Sequence, residues 1–324
     1  IKNSLLVYSN DKEFIEKNLL KIDNLINNKN QISLRKSKPK LIVKPMHGLG
    51  NRLRVLASAY NIAKESTREL IICWDKDEHF NAEYYDLLKE QDLGLNITFS
   101  NSLILNNMHD LRSYNYMLSD LYSHKDYIID TNTDLDIFVI SSSVLKSKFT
   151  NYEKENSFLS RLNFSYQVDQ LINNINIDHN FIGVHIRYDG INWENKNLAH
   201  ENISNWNYEA HELIKSHRNK SRPQDFESKM RNLLDNDINL KFFVSAANKE
   251  SISYIANLFS DKVYFLDTPT INNRDKLSLQ YALADMILLS KCKHLLGSGW
   301  SSFTECAVRF SKQKQKVEIV GEDF

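Results

Sequence analysis

Apolar residues in this chain fall into short β-branched runs separated by stretches where they recur at helical spacing. Leu41-Ile42-Val43-Lys44-Pro45 is short and β-branched, so it reads as a buried strand. His47-Gly48-Leu49-Gly50-Asn51 follows as a turn. Leu53, Leu56, Ala57, Tyr60 and Ala63 then predict a helix from about Asn51 to Glu65. Glu69 to Trp74 reads as the next strand, which completes a strand-loop-helix-strand unit of the kind that builds parallel sheets. Ahead of it, Leu5 to Tyr8 predicts a short strand and Asp11 to Asn27 a helix. Residues 75–135 read as loop- and tyrosine-rich, and Ile137 to Ile140 as a strand ending in three serines.

The second half repeats this alternation without repeating the sequence. Strands are expected at Phe181–Arg187, Lys241–Ser245, Val263–Leu266 and His294–Gly297. Helices are expected at about Pro223–Asn236, Ser251–Phe259, Ser278–Ser290 and Thr304–Phe310, with 190–222 as a long polar segment. The fold class is therefore α/β. At roughly 100–200 residues per domain, 324 residues suggest two domains, divided in the polar, helical stretch near 150–165. We place the N-terminal domain at 1–160 and the C-terminal domain at 161–324.

Composition narrows the classes. With 41 Lys+Arg against 41 Asp+Glu, a broad nucleic-acid-binding surface is disfavoured, while a local basic pocket for phosphate is not. Cys73, Cys292 and Cys306 form no CxxC pair, so they read as buried thiols rather than as a zinc site or disulfide framework. No apolar run approaches the ~18 residues that span a bilayer. The chain does not begin with Met and reads as a cut-out of a longer protein, for which a cytoplasmic setting is favoured.

Three constellations carry chemistry. Gly48-Leu49-Gly50-Asn51-Arg52 follows a strand and opens a helix. Its glycines allow close backbone approach and its helix start favours an anion, although it is neither GxGxxG nor a P-loop. In Gly183-Val184-His185-Ile186-Arg187-Tyr188-Asp189, alternation puts His185 and Arg187 on one face at the C-terminal end of a strand, where open α/β sheets bind ligands. Arg187 offers a fork of donors to phosphate oxygens or, in the plainer reading, pairs with Asp189 or Asp285. Gly297-Ser298-Gly299-Trp300-Ser301-Ser302-Phe303-Thr304-Glu305 is again strand, loop and helix, with hydroxyls and amides at a helix start that suit an anion; the plainer reading makes Ser302 or Thr304 a helix cap.

His-x-Arg on a strand, Phe243-Val244-Ser245-Ala246-Ala247-Asn248, Ala284-Asp285 on a helix and Ser301-Ser302-Phe303 opening another resemble the donor half of GDP-fucose-dependent fucosyltransferases. These are the α1,6-, nodulation and protein O-fucosyltransferases, whose N-terminal Gly-x-Gly-Asn loop Gly48–Asn51 is similar to. The resemblance implies a GT-B fold, two Rossmann-like domains facing each other across a cleft. It also implies an inverting glycosyltransferase that takes GDP-fucose as donor and a glycan hydroxyl as acceptor, with no metal or other cofactor. By the same resemblance, Arg187 binds the β-phosphate and His185 the ribose or guanine side. Ser301 and Ser302 hold the pyrophosphate, with Phe303 beside the base, and Asn248 lies in the donor pocket. Asp285 hydrogen-bonds guanine or ribose, or else pairs with Arg187. Asn51, with Gly48 and Gly50, faces the transferred sugar or acceptor. Some relatives carry a second arginine where Tyr188 stands, so Arg52, Arg218 or Arg222 would have to supply another cation.

A carboxylate must take the acceptor proton. Glu194 is the first choice, with Asp75, Asp189 and Glu78 as rivals. Asp134-Leu135-Asp136 and Asp235-Asn236-Asp237 match Asp-x-Asp but sit in acidic, Asn-rich surroundings where chance matches are common. The run Trp74 to His79 either ligates a metal or, more naturally, lines the acceptor cleft. Trp74, Trp193, Trp206 and Trp300 are candidates for stacking on a sugar face or for the core. Asn96, Asn163, Asn202 and Asn219 begin Asn-x-Ser/Thr triplets, which carry glycans only in a secreted protein. The competing readings are a transferase using another nucleotide sugar and a non-catalytic sugar- or phosphate-binding module. A nicotinamide dehydrogenase ranks third, because no GxGxxG with a downstream acid is present.

Overall fold

The computed structural model describes residues 38–90, 97–100, 111–117, 128–188, 208–269 and 274–324. The strand and helix expected within the first 27 residues lie outside these, as do Asp189, Trp193, Glu194, Trp206 and the triplet asparagines Asn96 and Asn202.

In chain order the first half comprises β1 (Lys40–Pro45), α1 (Leu49–Glu65), β2 (Glu69–Cys73), α2 (Tyr84–Leu87), β3 (Ile97–Ser100), β4 (Leu111–Asn115), β5 (Ile128–Ile129), β6 (Asp136–Ser141), β7 (Lys146–Ser147) and α3 (Tyr152–Leu159). Then come α4 (Tyr166–Asn173), β8 (Phe181–Ile186), α5 (Tyr208–Asn219), α6 (Pro223–Asn236), β9 (Lys241–Ala246), α7 (Lys249–Phe259), β10 (Val263–Tyr264), α8 (Lys276–Lys291), β11 (His294–Gly297), α9 (Ser302–Phe310) and β12 (Lys316–Ile319).

Two five-stranded sheets result, ordered β3-β2-β1-β6-β4 and β10-β9-β8-β11-β12, and every pairing in both is parallel. Buried strands in such sheets read as continuous apolar runs, which is why Leu41–Val43 and Phe181–Ile186 stood out in the sequence. In each sheet the chain order reverses beside the first strand, between β1 and β6 and between β8 and β11. At such a switch point the loops leaving the two neighbouring strands turn to opposite faces, and a crevice opens at their C-terminal ends.

α1 is buried around most of its 17 residues. Ala57, Ser58, Ala59 and Ala63 let neighbouring elements approach closely, while Leu53, Val55, Leu56 and Ile62 fill the space between. Its apolar side chains belong to one continuous cluster that runs from Leu41, Val43 and Ile72 in the first sheet to Leu283, Leu288, Cys306 and Phe310 in α8 and α9. A second cluster, with Val184, Phe226, Phe242, Ile255 and Leu296, packs the second sheet against α6 and α7.

Candidate active site

The crevice of the second sheet is built by a chain of hydrogen bonds that ties the tip of β8 to the turn after β11. The Ser298 hydroxyl donates to the His185 carbonyl at 2.8 Å and accepts from the Arg187 N–H at 2.8 Å. The Thr304 hydroxyl donates to the Ser298 carbonyl at 3.2 Å and contacts His185 Nδ1 at 2.7 Å. That short contact is satisfied when Nδ1 carries the ring proton, which leaves Nε2 as an acceptor. Burial, and then the charges of Arg187 and Arg218, push the His185 imidazolium down to about 3, so the ring is neutral at physiological pH. Phe303 stacks on it, with ring centroids 4.6 Å apart. Ser301 caps α9 by accepting from the Thr304 N–H at 3.3 Å, so its hydroxyl and the free amides of the first turn stand at the positive end of the helix.

The glycine loop of the first half closes on this same helix start. A Cβ on Gly50 would lie 2.6 Å from the Ser302 carbonyl oxygen and 2.8 Å from its carbon. The Cys306 thiol reaches the Gly50 carbonyl at 3.2 Å. Arg54 bridges the Ser142 carbonyl at 2.9 Å and Glu305 at 2.9 Å. Two helix N-termini, each rich in unpaired N–H groups, are thereby pressed together. The two turns share a further feature: the residue before each helix cap, His47 (φ 64) and Trp300 (φ 50), has left-handed backbone without being glycine. Such strain costs on the order of 1–3 kcal/mol and gathers at ligand clamps.

Replacing Gly50 by Ala tests this packing. If the contact with Ser302 holds, G50A lowers stability by about 1–3 kcal/mol, because backbone rather than a flexible side chain must give way. If the helix starts are looser, the same change raises stability by up to about 1 kcal/mol through helix propensity. Thermal unfolding gives the sign.

On the other flank of Arg187, Asp285 on α8 accepts from the Ser245 hydroxyl of β9 at 2.8 Å, while its Oδ1 is enclosed with no hydrogen-bond partner. Burial raises its carboxyl from 3.8 to about 7, against the lowering effect of Ser245. Among the described residues Asp285 has no ion pair, so a pairing with Arg187 is not seen. Asn248 caps α7 by accepting from the Ser251 N–H at 2.8 Å and donates to the Tyr188 carbonyl at 2.8 Å.

Of the three arginines weighed as a second cation, Arg218 is the one whose charge reaches the β8 tip; it is buried at the end of α5. Arg52 is fully buried instead. Its guanidinium lies over Phe80 at 4.3 Å, pairs with Asp77 at 2.7 Å and donates to the His47 carbonyl at 2.8 Å, so it braces the glycine loop from behind. Arg222 is exposed and held by Asp225 at the start of α6.

Asp75 stands just past the C-terminal end of β2 and pairs with Lys44 at 2.7 Å. Of the two readings of Trp74 the core one holds: it is fully buried with its ring edge-on to Phe80 and Tyr84. In the two Asp-x-Asp matches the second aspartates are engaged by backbone. Asp136 is buried and accepts from the Lys40 N–H, and Asp237 accepts from the Asn239 N–H at the end of α6. Among the described residues no three His, Cys, Asp or Glu side chains gather as a metal site would need, and no helix is long and apolar enough to cross a membrane. Ser298 and Thr304, the two residues that lock the crevice, gave only a loop and a cap signal in the sequence; four hydroxyls within seven residues after a strand is the cue that marks them.

A scan against protein families and a search of curated proteins return no match. Solved structures do match. The fucosyltransferase NodZ from Bradyrhizobium has a TM-score of 0.51 at 15% identity, over 84% of this chain and 93% of that one. POFUT1 in complex with GDP has a TM-score of 0.55 at 12% identity, over 89% of this chain and 100% of that one. NodZ α-1,6-fucosyltransferase co-crystallised with GDP has a TM-score of 0.50 at 15% identity, over 84% and 92%. The likeness extends over most of each chain and shows the fold: a mixed α/β architecture on parallel sheets that these fucosyltransferases share.

Proposed function

We propose that this chain is a glycosyltransferase that moves fucose from GDP-fucose to a glycan hydroxyl, by inversion and without a metal. The observation that carries this reading is the joined crevice. The β8 tip with His185 and Arg187 and the hydroxyl-lined start of α9 meet at the switch point of the second sheet, and the glycine start of α1 closes on them from the first half. That combination offers a fork of donors, two helix N-termini and a neutral ring acceptor to a single nucleotide diphosphate. The named fucosyltransferases, with GDP in two of them, favour guanosine and fucose over other donors.

In this reading the two halves, 1–160 and 161–324, are the Rossmann-like acceptor-side and donor domains of a GT-B enzyme. Ser301, Ser302 and the adjoining amides hold the pyrophosphate. Arg187 meets the negative charge that grows on the leaving β-phosphate, with the Arg218 charge close behind. Fixed donors aimed at such charge are usually the largest catalytic contribution. His185 Nε2 accepts from a ribose hydroxyl, Asp285 accepts from guanine or ribose beside Asn248 and Phe303, and Gly48, Gly50 and Asn51 border the transferred sugar. The acceptor proton goes to Glu194 or Asp75. Calorimetry with GDP, UDP and ADP tests the donor. GDP binding well above the other two supports the reading, equal or stronger binding of UDP or ADP points to another nucleotide sugar, and no nucleotide binding leaves a sugar-binding module.

Asp285 adds a pH test. Its folded pKa is raised, so the native state holds the proton more strongly and loses stability as pH rises from 3.8 to about 7. The loss is complete above that range, on the order of 2–4 kcal/mol. Asp285→Asn removes it: the variant is expected to outlast wild type in thermal unfolding at pH 8, with the gap closing towards pH 4. Its GDP affinity is expected to drop, the exchange of stability for binding typical of a functional site.

A further inference from the structure

The turn between β11 and α9 holds chemistry that the diphosphate does not use. Trp300 is exposed at 39%, one of the few large apolar side chains on the surface, and it is held in left-handed backbone. The His217 ring of α5 lies parallel to it, 6° between planes and 6.4 Å between centroids. His217 reaches this position only because residue 299 is glycine: a Cβ there would sit 2.5 Å from His217 Nδ1 and 3.3 Å from the Glu322 carboxylate. Glu322 is itself more than half exposed and 4.0 Å from His217 Nδ1. An open indole face, a flat ring beside it and a carboxylate at its edge are thus gathered around one glycine.

Sheet order gives this cluster its place. β8 lies between β9 and β11, so Asn248 and Asp285 flank Arg187 on one side and Trp300 flanks it on the other. A nucleotide sugar is linear: base, diphosphate, sugar. With the base on the β9 side and the phosphates at the α9 start, the sugar end and the incoming hydroxyl lie towards Trp300.

We infer that Trp300, His217 and Glu322 form a pyranose-binding subsite, the indole stacking on the apolar face of a sugar ring and the carboxylate accepting from its hydroxyls. This rests on the donor orientation proposed above. An aromatic face packs against C–H groups, and a carboxylate offers two acceptors at the spacing of neighbouring hydroxyls. Burial, partly offset by Glu322, lowers the His217 pKa, so its ring is neutral at pH 7 and free to donate or accept. The sugar is either the transferred one or the acceptor, and the experiment separates the two.

Saturation-transfer NMR on the full chain with methyl glycosides of fucose, galactose, glucose and N-acetylglucosamine, with and without saturating GDP, reads binding directly. Wild type and Trp300→Tyr are expected to bind at least one of them. Trp300→Ala is expected to lose about tenfold in affinity, and Glu322→Gln several-fold. GDP affinity by calorimetry should stay within about twofold in all three. A Trp300→Ala loss in GDP-fucose affinity alone assigns the ring to the transferred sugar, and a loss confined to the methyl glycosides assigns it to the acceptor. Unchanged binding of both in Trp300→Ala, or a loss in GDP affinity instead, overturns the subsite. Failure of wild type to bind GDP overturns the donor reading alone, because the glycoside signal is scored without nucleotide.

Discussion

Replacing Arg187 by Ala is expected to cut sugar transfer from GDP-fucose by about 10²–10³ while leaving the fold intact. The argument separates backbone from side chain. Its N–H, held by Ser298 at 2.8 Å, ties this residue to the β11 turn, and alanine keeps that bond. What alanine removes is the guanidinium, the group proposed above to meet charge on the departing phosphate. Lysine should restore only part of the rate, because a point charge cannot reproduce a planar fork of donors. Initial rates of GDP release, read beside GDP affinity and a melting curve, make the test. If R187A turns over at the wild-type rate, the crevice is not where the donor is cleaved.

The largest stability effect is expected at the seam between the halves. Arg309 on α9 and Glu155 on α3 meet at 2.7 Å with side chains 0% and 1% exposed, and Arg309 also takes Asn156 at 2.8 Å. Burial raises the Glu155 carboxyl, with Arg309 pulling the other way. Among the described residues, removing Glu155 leaves the buried Arg309 with the longer contact to Glu305 at 3.5 Å as its remaining ion pair, so Glu155→Ala is expected to cost about 3 kcal/mol. Converting both to Met should cost much less, because the desolvation of two ions disappears with their attraction. Denaturant unfolding of the two single variants and the double variant closes the cycle. A Glu155→Ala cost below about 1 kcal/mol would show that water reaches the pair.

The inner strands of the two sheets were legible because they are buried on both faces and carry unbroken apolar runs: Leu41–Val43, Phe181–Ile186, Phe242–Val244 and Leu295–Leu296. Among the strands that escaped, β3, β4 and β12 are edge strands or half-polar, with Arg112 and Ser113 in β4 and Lys316 and Glu318 in β12, and periodicity has little hold on such segments or on the two-residue β5 and β7. α5 was hidden in what read as a polar stretch, since most of its described side chains are polar and only Ile214, Arg218 and the residues around them turn inward. For the site, the motifs located the loops but not the partners. Nothing in Gly48-Leu49-Gly50 says that it abuts Ser302, 252 positions on, nor does Thr304 announce that it fixes the tautomer of His185. Those are tertiary facts. Trp74 was open between sugar platform and core, and what decides for the core is again tertiary: the aromatic rings of Phe80 and Tyr84 enclose it.

The contact at residue 50 restricts how such a molecule can work. With the carbonyl of Ser302 standing where any larger side chain would go, the beginnings of α1 and α9 touch backbone to backbone. In the proposed reading this contact joins the two halves of the diphosphate's seat, so parting the sheets there would separate Gly50 from Ser302 and divide the seat between them.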